Sequence, residues 1–367
     1  MDARNYLTSR RRFLQGSAAI GAASLASSLG LANSVFAQGA PIGTGKAGRI
    51  VIRTPGGAYE EAWRAVCWEP FARETGYQVV PIATNAARIL AMIESGASDV
   101  DVLDYGPIQF ITLAEKNALV KLDKSQFKLS NLSDIETVTD YYLGVLVYST
   151  VLAYNTQTFG TKHPANWAEF WDTKAFPGPR TLEDAATGVV DLEFALLADG
   201  VPMDKLYPLD IDRALKKLRE IRPSIVKWWD TGAVAAQMLA DKQAVLGSIW
   251  NGRAQTLMQQ GAPIGIEWNQ AQRFVQGLAI LKNSKNIEGA YKLIDYSLQP
   301  HVQADLVQRI AYGPANRKAF STIPANLAAM MPTSPENLAR SFVNDALWWS
   351  KNGKVVAERW QEFLLER

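Results

Sequence analysis

Trp250-Asn251-Gly252-Arg253 is a segment whose residue types suit the capture of a small anion. It follows the apolar run Ala244 to Trp250, which has the composition of a strand. A guanidinium at a strand end beside an aromatic ring is suited to bidentate capture of a carboxylate or phosphonate. Trp250 would exclude water around that charge, and Asn251 adds an uncharged donor and acceptor. Plainer uses stay open: Arg253 as a solvated helix-start arginine or ion-pair partner, Trp250 as core. A second segment is Thr54-Pro55-Gly56-Gly57-Ala58-Tyr59. Its two glycines let backbone N–H groups approach a ligand, and a helix pattern starts immediately after them. Asp230, in Asp230-Thr231-Gly232, either holds a ligand amine or caps the following helix, and the cap is the expectation.

Catalytic chemistry finds less to work with. His163 and His301 lie in unrelated segments, so no nucleophile–base pair is identified. Gly56-Gly57 lacks the third glycine of a dinucleotide fingerprint. Cys67 is the single cysteine, which excludes an intrachain disulfide and a cysteine cluster. It is expected as a small buried hydrophobe on a helix. No catalytic residue, cofactor or metal ligand is assigned. Tyr141-Tyr142 is a pair of the type that binds ferric iron, but neighbours on a strand point to opposite faces.

The elements that must position these residues alternate along the chain. Ile50 to Ile52, Val79-Val80 and Val100 to Leu103 read as short strands. Tyr59, Trp63, Val66 and Cys67 fall at helical spacing, with Pro70 expected to disturb the end of that helix; Ala87 to Glu94 and Gln109 to Lys116 are further helices. Leu143 to Tyr148 and Leu152 to Asn155 read as two strands, and Leu278 to Leu281 as a late one. Helices are expected from Asn166 to Trp171, through Ile211, Leu215 and Leu218, over Val234 to Leu239, and through Ile287, Ala290 and Ile294. This alternation predicts an α/β fold of mostly parallel sheets flanked by helices. Sites in such sheets lie at the carboxyl ends of strands. That selects the loops 54–59, 83–85 and 104–107.

The chain has 367 residues, 48% of them hydrophobic and 20% charged, enough for two lobes of ordinary domain size. Its beginning differs from the rest: a basic stretch to Arg12, a weakly apolar run from Ala18 to Leu31, then Val35-Phe36-Ala37. That order predicts a secretory signal peptide over residues 1–37. Ser9-Arg10-Arg11-Arg12-Phe13-Leu14-Gln15 resembles the twin-arginine export motif, departing from it at Gln15. The apolar run is too short and polar to span a membrane. Removing residues 1–37 takes away four arginines and one aspartate, leaving 34 basic against 35 acidic residues. A near-neutral surface gives no support to nucleic-acid or anionic-membrane binding.

Four ordered segments carry a resemblance. They are Trp167-Ala168-Glu169-Phe170-Trp171 with Phe176-Pro177-Gly178; Ala244-Val245-Leu246-Gly247-Ser248-Ile249-Trp250-Asn251-Gly252; Leu278-Ala279-Ile280 leading to Asn286 through Ile294; and Tyr312-Gly313-Pro314-Ala315-Asn316. Together they resemble the periplasmic polyamine-type solute-binding proteins of ABC importers. The resemblance implies the type II two-lobed periplasmic-binding-protein fold. Residues 49–147 and 276–317 would form one lobe and 148–275 the other, after a flexible 38–48 segment. Crossovers would lie near Leu146–Thr150 and Phe274–Gly277, and the helices of 318–367 would pack on the lobes. It implies a small-molecule ligand closed in by hinge motion, permease subunits as membrane partners, a periplasmic monomer, and no enzyme activity.

The resemblance also selects site residues. Aromatic residues stand at matching positions: Tyr59, Tyr105, Trp250 and Phe274. Two acids of polyamine-binding relatives are replaced, by Thr187 and Gln276. A dication would then lack carboxylate partners in a closed cleft. The expected ligand is therefore a small carboxylate or zwitterion, ahead of a polyamine, with a ferric-iron receptor and an exported cofactor enzyme further behind. The full expected contact set is Gly57, Ala58, Tyr59, Tyr105, Tyr148, Ser149, Thr187, Trp250, Asn251, Arg253, Phe274 and Gln276. Tyr148, Ser149 and Thr150 lie on the first crossover, where they either donate to the ligand or shape the hinge.

Overall fold

Short apolar runs bounded by glycine, proline and polar residues become buried strands, and amphipathic segments between them cover both faces of the sheet. A computed structural model describes residues 40–366 except 85, 97–98 and 133–136, together with the backbone alone at 86–87. All described residues belong to one body, Phe36–Arg367. The expected signal peptide lies outside the described residues.

The chain opens with β1 (Gly48–Thr54), α1 (Gly57–Trp63), a π-helical turn at Arg64–Trp68, and α2 (Glu69–Thr75). The expected disturbance near Pro70 takes the form of the π turn just before it, and the helical run continues past the proline. Pro70 stands in the first turn of α2, immediately after the wide π turn, where its missing N–H is tolerated. Cys67 sits in that turn, fully buried, with its Sγ 3.4 Å from Ser297 Oγ. Next come β2 (Tyr77–Ala83), α3 (Ala86–Glu94), β3 (Val102–Tyr105) and α4 (Pro107–Glu115).

The middle of the chain departs further from expectation. The two strands read at 143–148 and 152–155 are one, β4 (Tyr142–Asn155). After the short helices α5 (Thr156–Phe159) and α6 (Trp167–Trp171) come β5 (Arg180–Glu183), α7 (Leu192–Ala198), α8 (Ile211–Ile221) and β6 (Ile225–Trp229). β5 and β6 had no strand signal, because Arg180, Glu183 and Lys227 interrupt the apolar pattern. α9 (Gly232–Ala240) is capped by the Thr231 side chain, which accepts from Val234 N–H at 3.3 Å. Asp230, the expected cap, is exposed one residue too early. β7 (Leu246–Trp250) runs directly into α10 (Asn251–Gln259).

β8 (Ile264–Ile280) is far longer than the Leu278–Leu281 strand the sequence suggested. Its first half alternates polar with apolar residues and so lacks a buried-strand signature. α11 (Ile287–Ser297), α12 (Pro300–Arg309) and the short β9 (Gly313–Pro314) follow. The chain finishes with α13 (Ala325–Ala328), α14 (Pro335–Ala339), β10 (Ser341–Val343) and α15 (Ala346–Leu365).

The main path of the sheet is β2-β1-β3-β8-β4-β7-β5-β6, with β9 on β4 and β10 on β8. β1 pairs in parallel with β2 and β3, and β5 in parallel with β6 and β7. The long antiparallel pair β4–β8 joins these two parallel halves. Leu146 to Thr150 pairs with Gln276 to Gln272, and the register shifts between Thr150 and Leu152. At that irregularity Gln270 has φ 63°, its N–H donates to Arg340 O at 2.7 Å, and its carbonyl accepts from Trp167 Nε1 at 3.1 Å.

Each half is packed on both faces. Ile50 and Ile52 join Trp63, Cys67 and Phe71 on one face, while Val51 joins Val80, Ile82 and Leu103 on the other. Around the second half, Leu152 and Leu246 meet Trp167, Phe170 and Phe194, and Val151, Ala153 and Ile249 meet Trp229 and Leu239. α15 adds Trp349, Val356, Trp360 and Phe363 to that second core.

Candidate functional site

A cavity of about 600 Å³ opens where the loop before α1, the middle of β4 and β8, the start of α10 and the end of α12 converge. Its wall includes Gly56, Gly57, Ala58 and Tyr59 from the first loop and helix, and Leu146, Tyr148 and Gln276 from the central strands. Trp250, Gly252, Arg253 and Thr256 come from the β7–α10 junction, and Arg309, Ile310 and Tyr312 from the end of α12 and beyond. Gly56 and Gly57 have φ of 83° and 62°, a conformation that glycine adopts without strain. A side chain at Gly252 would meet the Tyr312 ring at 2.8 Å, so the start of α10 lies directly on that ring.

Aromatic rings form the apolar part of the wall. Tyr148 stacks on Phe274 with centroids 5.1 Å apart and meets Trp250 edge-on at 6.3 Å. Trp250 is fixed from behind by an edge contact with the buried Trp229, at 5.5 Å. Burial pushes the Tyr148 hydroxyl up, and Tyr312 upward too, so both present neutral phenols.

Two arginines provide the charge. Arg253 and Arg309 are both exposed and line the cavity, and no carboxylate lines it among the described residues. Neither guanidinium has a hydrogen bond or ion pair among the described residues.

A carboxylate stands one layer behind the wall. Asp104, at the end of β3, is 1% exposed. Its Oδ2 accepts from the Tyr59 hydroxyl at 2.8 Å and its Oδ1 from Gln276 Nε2 at 2.5 Å. Arg53 donates to the Asp104 carbonyl at 2.5 Å and lies over the Tyr105 ring at 3.8 Å. Burial raises the Asp104 carboxyl to about 6, against the lowering pull of Gln276, Tyr59 and the Arg53 charge.

Of the twelve expected contact residues, seven line the cavity: Gly57, Ala58, Tyr59, Tyr148, Trp250, Arg253 and Gln276. Five do not. Asn251 is fully buried and its amide is occupied: Oδ1 accepts from Ser149 N–H at 2.9 Å and Nδ2 donates to Ala311 O at 2.7 Å. It ties α10 to β4 and to the segment carrying Tyr312. Ser149 follows Tyr148 on the strand and so points to the opposite face, into the interior. Phe274 supports Tyr148 from the side without reaching the wall. Tyr105 is buried between Arg53 and Phe110. The Thr187 hydroxyl bonds Asp184 O and Val189 O in its own turn.

Sequence reasoning missed Asp104, Arg309, Ile310 and Tyr312 as parts of this region. Tyr312 belongs to a segment that carries the family resemblance, and Asp104 to a loop at a strand end; Arg309 has no local signal. Positions 187 and 276 carry no acid, and the acid that bonds Gln276, Asp104, arrives from β3 and stands behind the wall rather than in it.

A second set of acids lies deeper, in the half built on β5 and β7. Glu183, Asp191 and Glu193 are each at most 1% exposed. Asp191 Oδ2 accepts from Glu183 N–H at 2.7 Å and Ser248 Oγ at 2.6 Å, and Ser248 accepts from Trp229 Nε1 at 3.2 Å. Glu193 Oε1 accepts from Tyr207, Trp349 and Gln272 at 2.5, 2.8 and 3.0 Å. Burial and then the Asp191 charge push Glu183 well above the carboxylate range. Asp191 itself rises to about 7, chiefly through burial.

The family described as bacterial extracellular solute-binding protein matches residues 68–333. The gamma-aminobutyric acid-binding protein of Pseudomonas aeruginosa is 30% identical over 317 residues, 84% of this chain and 89% of that one. The spermidine/putrescine-binding periplasmic protein of Escherichia coli is 28% identical over 296 residues, 76% of this chain and 82% of that one. Among solved structures, the Atu4243-GABA receptor superposes with a TM-score of 0.80 at 33% identity, covering 87% of this chain and 98% of that one.

Proposed function

This chain belongs to the bacterial extracellular solute-binding proteins, as the substrate-binding component of an ABC transporter, and we propose that its solute is a small carboxylate or zwitterion anchored by Arg253. The carrying observation is the charge of the wall: two arginines with no ion-pair partner and no lining acid among the described residues. A carboxylate entering this cavity gains a planar donor pair from Arg253 and an apolar bed from Trp250, Tyr148 and Tyr312. The names of two relatives agree with it, since both bind gamma-aminobutyric acid.

A polyamine fits less well. Its ammonium groups would meet Arg253 and Arg309, no described carboxylate lines the wall, and Asp104 behind it is already bonded to Tyr59 and Gln276. The polyamine-binding relatives support that alternative only by kinship.

The same reading places the mature protein in the periplasm, with 49–147 and 276–317 as one lobe and 148–275 as the other. Solute contacts to both lobes favour closure by hinge rotation, because only differential affinity shifts the two populations. The arginine-rich start supports twin-arginine export, and the near-neutral surface and unpaired cysteine fit a monomer delivering its solute to permease subunits.

Arg253→Ala tests the reading. Loss of a desolvated charge partner costs about 2–5 kcal/mol, so affinity for 4-aminobutyrate or a related short carboxylate should fall about 30-fold or more. Calorimetry on the folded variant that finds every bound carboxylate within a few fold of the parent would remove Arg253 from the site.

A further inference from the structure

We propose that Asp104, without touching the solute, fixes the polarity of the part of the cleft wall formed by Gln276 and Tyr59, so that the solute must present a hydrogen-bond donor there. This deepens the carboxylate reading above and rests on it.

An ionised carboxylate only accepts hydrogen bonds. Gln276 reaches Asp104 Oδ1 with one end of its amide. That end must be the NH2 group, because a carbonyl oxygen would face a carboxylate oxygen with no proton between them. The carbonyl Oε1 of Gln276 is the end left over, and Gln276 lines the cavity. Tyr59 follows the same logic. Its hydroxyl proton is committed to Asp104 Oδ2 at 2.8 Å, so the phenol oxygen is left with acceptor capacity. Tyr59 also lines the cavity.

One buried carboxylate therefore turns two ambivalent side chains into acceptors. The groups packed around it maintain this state. Arg53, 9% exposed, bonds the Asp104 carbonyl and Thr84 O at 2.7 Å, and its charge favours the ionised carboxylate. Burial keeps the Tyr59 proton in place by raising that phenol well above its ordinary value.

The two kinds of wall group then read opposite chemistry. Arg253 and Arg309 offer only donors, whereas Gln276 and Tyr59 offer acceptors. The solute class that matches both is a short carboxylate whose far end carries an N–H or O–H. A solute with acceptors at both ends, such as a dicarboxylate, meets the Gln276 carbonyl and is refused.

The test uses three probes sharing one carboxylate: 4-aminobutyrate, 4-hydroxybutyrate, whose far end donates, and 4-methoxybutyrate, whose far end only accepts. The wild-type protein should bind 4-hydroxybutyrate about tenfold more tightly than 4-methoxybutyrate, the scale of one hydrogen bond against one unpaired acceptor. Asp104→Asn should erase or invert that ratio, because an asparagine amide donates to Gln276 Oε1 and turns the Gln276 NH2 towards the cleft. Gln276→Met, which leaves Asp104 intact, should also erase the ratio. The neutral pair separates this effect from the simple loss of a negative charge, which 4-aminobutyrate alone would feel.

Arg253→Ala should weaken all three probes alike and leave the ratio standing, so failure of the anion reading and failure of this one are distinct. A solute-free measurement stands beside them: the side-chain amide resonances of Gln276 in the wild-type protein should show a strongly bonded N–H that returns to a free position in Asp104→Ala. An unchanged Gln276 resonance in that variant, or a donor-to-acceptor ratio that Asp104→Asn does not move, overturns the proposal.

Discussion

The molecule buries carboxylates in two places and uses them differently. Asp104 stands alone at the end of β3, with two donors and a nearby guanidinium, and burial moves it only to about 6. Glu183, Asp191 and Glu193 share one region of the other half, and Glu183 has one oxygen, Oε1, without a hydrogen-bond partner. No basic residue bonds any of the three among the described residues, so mutual repulsion adds to desolvation. A solitary acid with enough donors stays ionised and orients its partners. Acids crowded together retain protons and act as fasteners of the fold. Trp229, Ser248 and Asp191 link β6, β7 and the entry to α7, while Glu193 gathers Tyr207, Gln272 and Trp349.

The largest effect of this contrast belongs to the fasteners. Glu193→Leu leaves the Tyr207 hydroxyl, Trp349 N–H and Gln272 amide without their acceptor. At about 1–3 kcal/mol for each stranded donor, the variant should lose roughly 3–5 kcal/mol, visible as a lower urea midpoint. Asp104→Asn keeps acceptor and donor groups in place and should cost far less. Equal losses in the two variants would dissolve the distinction between the regions.

The second comparison is in pH. The folded-state carboxyls of Asp191 and Asp104 lie above their ordinary value of 3.8, at about 7 and about 6. The folded protein therefore holds protons that the unfolded chain releases. The associated stability is complete below pH about 4 and is lost as pH rises through those folded values. Asp191→Asn should flatten the loss between pH 5 and pH 8 and gain stability relative to the parent at pH 8. Urea titrations at both pH values check this, and a variant with the parent's full pH dependence would clear Asp191 of the effect.

The smallest effect is expected from Gln276→Asp. Without Asp104, an added carboxylate would convert the acceptor part of the wall into a strong cation site. Beside Asp104, the new acid must share a proton with it, since two carboxylates in contact do not both ionise. Putrescine affinity should rise only a few fold at pH 7, and more at higher pH as the pair loses its proton. Calorimetry showing a large gain at pH 7 would mean that the two side chains do not meet.

Much of the first half of the fold was legible because its signals are local. Ile50 to Ile52, Val79-Val80 and the helical spacing of Trp63 and Cys67 encode burial on two faces, and they became β1, β2 and the α1–α2 run. β5, β6 and the start of β8 were missed where polar residues such as Arg180 and Glu183 occupy fully buried strand positions. Arg180 is accommodated only because the carbonyls of Phe170, Phe176 and Gly178 surround its guanidinium. No pattern within a short window shows such an arrangement.

The site divides in the same way. The sequence by itself determined the Gly56-Gly57 approach and the Trp250–Arg253 junction, because each depends on residue type next to a strand end, while the candidacy of Gln276 came through the family resemblance. Which of those side chains reach the cavity was decided by tertiary structure. Asn251 carries the right chemistry and was expected there, yet Ser149 and Ala311, 102 and 60 residues away, occupy its amide. Asp104 drew no notice as an acid, yet it meets Tyr59 and Gln276 from 45 and 172 residues away. The physical reason is common to both: a polar group is defined by the partners that complete its hydrogen bonds, and here the chain brings those partners together only when β3, β4, β8 and α10 converge.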